Sequence, residues 1–181
     1  MINTRSTVRN KILNFFFLNE SRSVYINELA RLIEGDPKNV YRMLVRLEEE
    51  GILASEFKGK ERFFFSRKEH PLYKGYKKIF LQTTGLEAIL KAELKKIFRL
   101  EEVYLFGSYA EGRYGPESDI DLLLVGSHSA IEAEKVLFQI QKQAGREIST
   151  IHMKTDEFKK RRTNGDQFIG TVFAGKVIKL L

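Results

Sequence analysis

Gly107-Ser108, followed after a short loop by Ser118-Asp119-Ile120-Asp121-Leu122-Leu123-Leu124-Val125, decides how the second half of this chain is read. In an extended strand, residues two apart share a face, so the Asp119 and Asp121 side chains project together, roughly 6 to 7 Å apart along the backbone. Two carboxylates so placed repel unless a cation lies between them. Hard cations such as Mg2+ take oxygen ligands from one or two carboxylates and fill their remaining positions with water and phosphate oxygens. Ahead of the turn, Val103-Tyr104-Leu105-Phe106 reads as a short buried strand. The missing Cβ of Gly107 lets backbone and hydroxyl donors approach a phosphate closely. Gly112 and Gly115-Pro116 then punctuate a loop between two strands. Together these features point to a site for a metal and a nucleotide.

Leu105-Phe106-Gly107-Ser108-Tyr109-Ala110-Glu111-Gly112, taken with Ser118-Asp119-Ile120-Asp121-Leu122-Leu123, resembles the signature of the DNA polymerase beta nucleotidyltransferase superfamily, closest to its minimal MNT-type members. The resemblance covers about the last hundred residues, and its specificity comes from the turn, the spacing and the Asp-x-Asp strand occurring together. It implies transfer of a nucleoside monophosphate from an NTP to a hydroxyl of a protein or nucleic-acid acceptor, with release of pyrophosphate. It also implies that Asp119 and Asp121 hold two ions, Mg2+ or Mn2+, and that Gly107 and Ser108 hold the β and γ phosphates. Arg113 would offset triphosphate charge. A third acid on a neighbouring strand completes the set in this superfamily; here Glu147, in Gly145-Arg146-Glu147-Ile148-Ser149, is the candidate, as metal ligand or as base for the acceptor hydroxyl. His152 is the weaker alternative. Glu111 stands where close relatives often carry arginine, and an acid beside a triphosphate is unfavourable unless it points away. MNT-type members are often partnered with HEPN-domain chains, so such a partner is also implied.

Charge separates the two halves. The 181 residues carry a formal net charge of +7, with 31 Lys and Arg against 24 Asp and Glu. Residues 1–80 hold 16 basic against 10 acidic residues, whereas residues 81–181 hold 15 against 14, so the excess that favours a polyanionic partner belongs to the first half. Cysteine is absent, which excludes disulfides and thiolate metal sites and fits a cytoplasmic location. Apolar runs such as Phe15-Phe16-Phe17-Leu18 are far shorter than a bilayer span, so no membrane association is expected.

The first half has its own organisation. Apolar residues at Val8, Ile12, Phe15 and Phe16 predict a helix over 7–18, Val24-Tyr25-Ile26 a short extended piece, and 27–33 a second helix. Asp36-Pro37 is a strong start signal, with an N-cap acid and a proline at the first helical position, for a third helix ending before Gly51. Two strands, 52–57 and 62–66, follow as a hairpin. Three helices and a hairpin, the third helix ending in Glu48-Glu49-Glu50-Gly51-Ile52-Leu53, resemble a winged helix-turn-helix domain of the ArsR and MarR kind. Such a domain places its third helix in the major groove of double-stranded DNA, commonly as a homodimer on two half-sites. Lys38, Arg42 and Arg46 stand at i, i+4 and i+8 as one basic ridge flanked by Asn39 and Tyr41, and Lys58, Lys60 and Arg62 charge the hairpin tip.

Helical patterns over 70–81 and 86–98 link the halves. Beyond the Asp-x-Asp strand the sequence predicts a helix over 129–144, a strand over 147–153, helices over 155–162 and 166–173, and a last strand over 177–180. The expected fold class is α+β: a winged helix over 1–68, a connecting helix over 69–84, and over 85–181 a mixed-sheet nucleotidyltransferase fold backed by helices. Three functions are compatible with this composition: a nucleotidyltransferase with a DNA-binding module, a transcription regulator that only senses nucleotide, and an antitoxin-like partner of a HEPN protein.

Overall fold

The computed structural model describes residues 7–113 and 118–181. Gly115-Pro116 of the expected loop lies outside these residues. The chain divides into two compact units, Met1–Ile89 with Lys142–Gly145, and Leu90–Gln141 with Arg146–Leu181.

In the first unit, α1 (Thr7–Leu18), β1 (Val24–Tyr25), α2 (Ile26–Leu32), α3 (Pro37–Glu49), β2 (Leu53–Lys58), β3 (Glu61–Ser66) and α4 (Tyr73–Thr83) follow in order. One apolar face was expected of α1, yet Ile12, Leu13, Phe15, Phe16, Phe17 and Leu18 are all buried, as in a helix enclosed on every side. One reason is α4, whose Tyr73, Tyr76 and Phe80 meet the Phe17 ring edge-on at 5.5, 5.7 and 5.5 Å. The connecting segment is thus part of this unit's core. α3 starts where its signals predict, with the Asp36 carboxylate accepting from the Asn39 N–H at 2.9 Å and Pro37 at the first helical position. Val40, Leu44 and Leu47 form its buried face. β2 and β3 pair antiparallel with Lys58 opposite Glu61, which leaves Gly59-Lys60 as a two-residue turn. Gly59 adopts φ +64° there, a value that favours glycine. β1 adds a third strand on the free edge of β3, with Val24 opposite Phe64.

The second unit is a four-stranded sheet in the order β6-β5-β4-β7, made by β4 (Leu100–Phe106), β5 (Ile120–Gly126), β6 (Ile148–Met153) and β7 (Ile178–Lys179). β4 runs antiparallel to β5 and β7, while β5 and β6 are parallel. Parallel neighbours need a crossover, which α7 (Ala130–Ala144) provides. Leu122 to Val125 are fully buried, as expected of a strand covered on both faces. α5 (Leu86–Leu94) stops a turn earlier than predicted. Leu94 and Ile97 are buried all the same, because a tight turn with Ile97 N–H on the Leu94 carbonyl keeps both inward; periodicity does not distinguish such a turn from helix.

Tyr104, Leu123, Val125 and Met153 pack with Phe158 of α8 (Thr155–Thr163) and Ile169 of α9 (Gln167–Ala174). By strand alternation this is the face on which Asp119 and Asp121 stand. Helices α8 and α9 therefore cover that face from Leu123 onward, whereas Asp119 and Asp121 remain half-exposed at its margin. Among the described residues, no helix is long and apolar enough to cross a membrane.

Candidate active site

The site is built where β4 ends and β5 begins. Antiparallel pairing sets Phe106 opposite Asp121, so the residue after Phe106 arrives beside that carboxylate. It is Gly107, at φ +69°, and an added Cβ would stand 2.3 Å from Asp121 Oδ2. Only glycine allows both the backbone turn and the close carboxylate. Gly107 also opens the single-turn helix α6 (Gly107–Ala110), which sequence periodicity does not reveal because it is one turn long. Buried Tyr109 and Ala110 anchor it, and Gly107 and Ser108 stay half-exposed. The Arg113 N–H closes the turn on the Ser108 carbonyl at 2.9 Å.

Asp119 lies one residue ahead of β5, and Asp121 is its second residue. Burial, and then the charge of Asp119, raise the Asp121 carboxyl above its ordinary value. Among the described residues, no Lys or Arg forms an ion pair with either carboxylate. Two adjacent acids with no ion-pair partner among the described residues form an oxygen donor set that fits a hard divalent cation.

Two contributors escape the sequence reading. Ser149, opposite Asp121 on β6, donates its hydroxyl to Asp119 Oδ2 at 3.2 Å. Arg146, only 8% exposed, donates from Nη1 to the Ser118 carbonyl at 3.3 Å and so anchors the residue before Asp119. Period-two spacing from Glu147 could have suggested Ser149; nothing local marks Arg146 as buried. Glu147 itself is exposed, one residue outside β6, with its main-chain carbonyl accepting from the Ile120 N–H at 2.9 Å. Among the described residues, no three His, Asp or Glu side chains gather to hold an ion. Asp119 and Asp121 are brought together; Glu147 is not drawn in with them, because the strand position facing Asp121 belongs to Ser149.

Arg113 is bound to Glu111, and a Cβ on Gly175 would lie 2.7 Å from Glu111 Oε1. Glu111 therefore lies against Gly175 and is balanced by Arg113. The unfavourable charge that its position in the sequence suggests is thereby reduced.

In the first unit, Lys38, Asn39, Tyr41, Arg42 and Arg46 are exposed along α3. Arg42 donates to the Asn39 amide oxygen, Arg46 pairs with Glu50 at 3.3 Å, and Lys58 pairs with Glu56 at 3.0 Å. Lys38 and Lys60 are exposed with no ion-pair partner among the described residues. Arg62 differs: it is half-buried, stacked 5.0 Å over Phe64, with Nε on the Ser55 hydroxyl at 2.9 Å and Nη2 on Glu48. It ties the hairpin to α3.

A protein from Methanocaldococcus jannaschii named as a candidate protein adenylyltransferase is 61% identical over 28 residues, which are 16% of this chain and 28% of that protein. The match thus spans little more than a quarter of that relative's length. Two solved structures are similar at low TM-scores: a toxin-antitoxin with AMP-PNP (TM-score 0.36, 19% identity, 53% of this chain and 69% of that one) and a candidate nucleotidyltransferase from Sulfolobus solfataricus (0.30, 25%, 41% and 68%). Residues 87–169, which include the Gly107-Ser108 turn, Asp119, Asp121 and Glu147, match the family model of the nucleotidyltransferase domain.

Proposed function

We propose that this protein is a metal-dependent nucleotidyltransferase that moves a nucleoside monophosphate from an NTP to an acceptor hydroxyl. The observation that carries this reading is the approach of Gly107 to Asp121, which sets a phosphate-sized turn against a pair of carboxylates that have no ion-pair partner among the described residues. In the reaction the acceptor oxygen bonds to the α phosphorus, the α–β anhydride bond breaks, and pyrophosphate leaves. Mg2+ or Mn2+ held by Asp119 and Asp121 would supply positive charge to the phosphate oxygens. Gly107 and Ser108 hold the β and γ phosphates, and Ser149 keeps Asp119 oriented. Glu147 takes the proton of the acceptor hydroxyl, a role supported by its exposure at the end of β6 nearest Asp119. The short identity with a relative named for protein adenylyl transfer favours AMP as the group moved and a protein as the acceptor.

The first unit, in the same reading, is a winged helix that binds double-stranded DNA through Lys38, Asn39, Arg42 and Arg46 of α3 and Lys58 and Lys60 of the hairpin. Support comes from the exposure of these side chains and from the concentration of positive charge in residues 1–80. The test is incubation of the protein with each labelled NTP, Mg2+ or Mn2+ and host lysate, followed by identification of what is labelled. Incorporation into a protein band, lost in Asp119→Asn with Asp121→Asn, supports transfer; labelling of a co-purifying HEPN protein would identify the acceptor as that partner. Tight nucleotide binding without any transfer would favour a nucleotide-sensing regulator instead.

A further inference from the structure

Of three histidines in the chain, two meet. His128 follows β5 and His152 lies in β6, and the His128 Nε2 and His152 Nδ1 atoms face one another at 2.8 Å, with the rings tilted by 39°. The other nitrogen of His152, Nε2, lies 2.9 Å from Glu134 Oε1 of α7. That carboxylate is itself fixed by the Thr150 hydroxyl at 2.6 Å. A carboxylate on Nε2 fixes the proton there, so the lone pair of His152 is on Nδ1 and accepts the His128 Nε2–H, a proton that an entering ion displaces and that then resides on His128 Nδ1. A neutral imidazole with its lone pair on one nitrogen and a carboxylate holding the other is the state of a metal-bound histidine.

We propose that His128 Nε2 and His152 Nδ1 are the protein ligands of a site for a borderline divalent metal ion, Zn2+ by preference, with water in the remaining positions. Two nitrogens about 2.0 to 2.1 Å from a tetrahedral ion stand about 3.3 Å apart, so the pair needs to open by roughly half an ångström to admit one. Imidazole selects Zn2+, Ni2+ or Cu2+ over Mg2+, whereas the all-oxygen pair of Asp119 and Asp121 has the opposite preference. The two sites are also separate in space. His152 is in register with Leu124, three residues along β5 from Asp121, which is about 10 Å, and on the alternate face of the sheet. With only two protein ligands, the ion keeps exchangeable positions for a further donor.

The inference stands apart from the transferase reading and is tested without turnover. Metal-stripped full-length protein is titrated with Co2+ by visible absorbance and with Zn2+ against a chromophoric chelator, with thermal melting as the folding control. One ion per chain is expected, with affinity lowered at least tenfold in His128→Asn and in His152→Asn and about 10-fold to 100-fold in Glu134→Gln. Asp119→Asn with Asp121→Asn should leave Zn2+ affinity unchanged. Absence of binding by the wild type, binding that survives His152→Asn, or Zn2+ binding lost only in the aspartate pair would overturn the proposal.

Discussion

A Cβ on Gly107 would stand 2.3 Å from Asp121 Oδ2, so the turn and the carboxylate form a single steric unit. Gly107→Ala must displace Asp121 and also hold alanine at φ +69°. The backbone alone costs about 1 to 2 kcal/mol. The expected result is a lower Tm together with loss of Mn2+ binding, read by calorimetry; unchanged metal affinity would show that the turn and the carboxylate are independent.

Asp121 gives the metal-free protein a pH dependence. Burial first, and Asp119 second, raise its carboxyl above the ordinary value, so the folded chain holds that proton more tightly than the unfolded chain. A raised acid contributes stability that is present below the unfolded value and lost as pH rises through the folded one. Asp121→Asn should therefore melt higher than the wild type at neutral pH in chelator, with the gap closing as pH falls through the carboxylate range. Added Mn2+ should raise the Tm of the wild type and not of the variant. A metal-free variant that melts lower than the wild type at neutral pH would contradict this account.

Ser149 tunes the same pair. Ser149→Ala removes the hydrogen bond to Asp119 and is expected to cost about 1 kcal/mol of stability, measured by denaturant unfolding. Ser149→Asp sets a third acid opposite Asp121, and should tighten Mn2+ binding by about tenfold, or roughly 1.4 kcal/mol. Weaker Mn2+ binding in that variant would mean that the β6 position does not face the ion.

The basic residues of the first unit should separate into two groups. Lys38→Ala with Arg42→Ala is expected to weaken duplex DNA binding and to reduce the slope of log affinity against log salt by about 1.8, near 0.9 for each phosphate contact. Arg62→Ala should instead lower stability by about 1 to 3 kcal/mol through its bonds to Glu48 and Ser55, with little change of slope. Fluorescence anisotropy across a salt series, together with thermal melting, checks both.

Much of this arrangement is legible locally. Asp36-Pro37 marks the start of α3, because an N-cap acid and a proline act within one turn of chain. Leu122 to Val125 announces a doubly covered strand, since apolar residues without alternation leave no face for water. Glu147 and Ser149, by contrast, are adjacent positions on one face of the same strand line, and residue type favours the glutamate. Pairing Ile120 with Ile148 makes Ser149 the neighbour of Asp121.

The sequence by itself determined the order of helices and strands apart from α6, the Gly107-Ser108 turn and the shared face of Asp119 and Asp121. All of these depend on residues a few positions apart, where backbone geometry alone relates one side chain to the next. Only the tertiary structure decided that Gly107 abuts Asp121, that Arg62 bonds Glu48, that Arg113 pairs with Glu111, and that His128 meets His152. Even Arg113 and Glu111, two residues apart, pair in a turn whose shape α6 and the closing Ser108 carbonyl impose. The other contacts join separate elements, so they depend on strand register and helix packing, which no local stretch of sequence specifies.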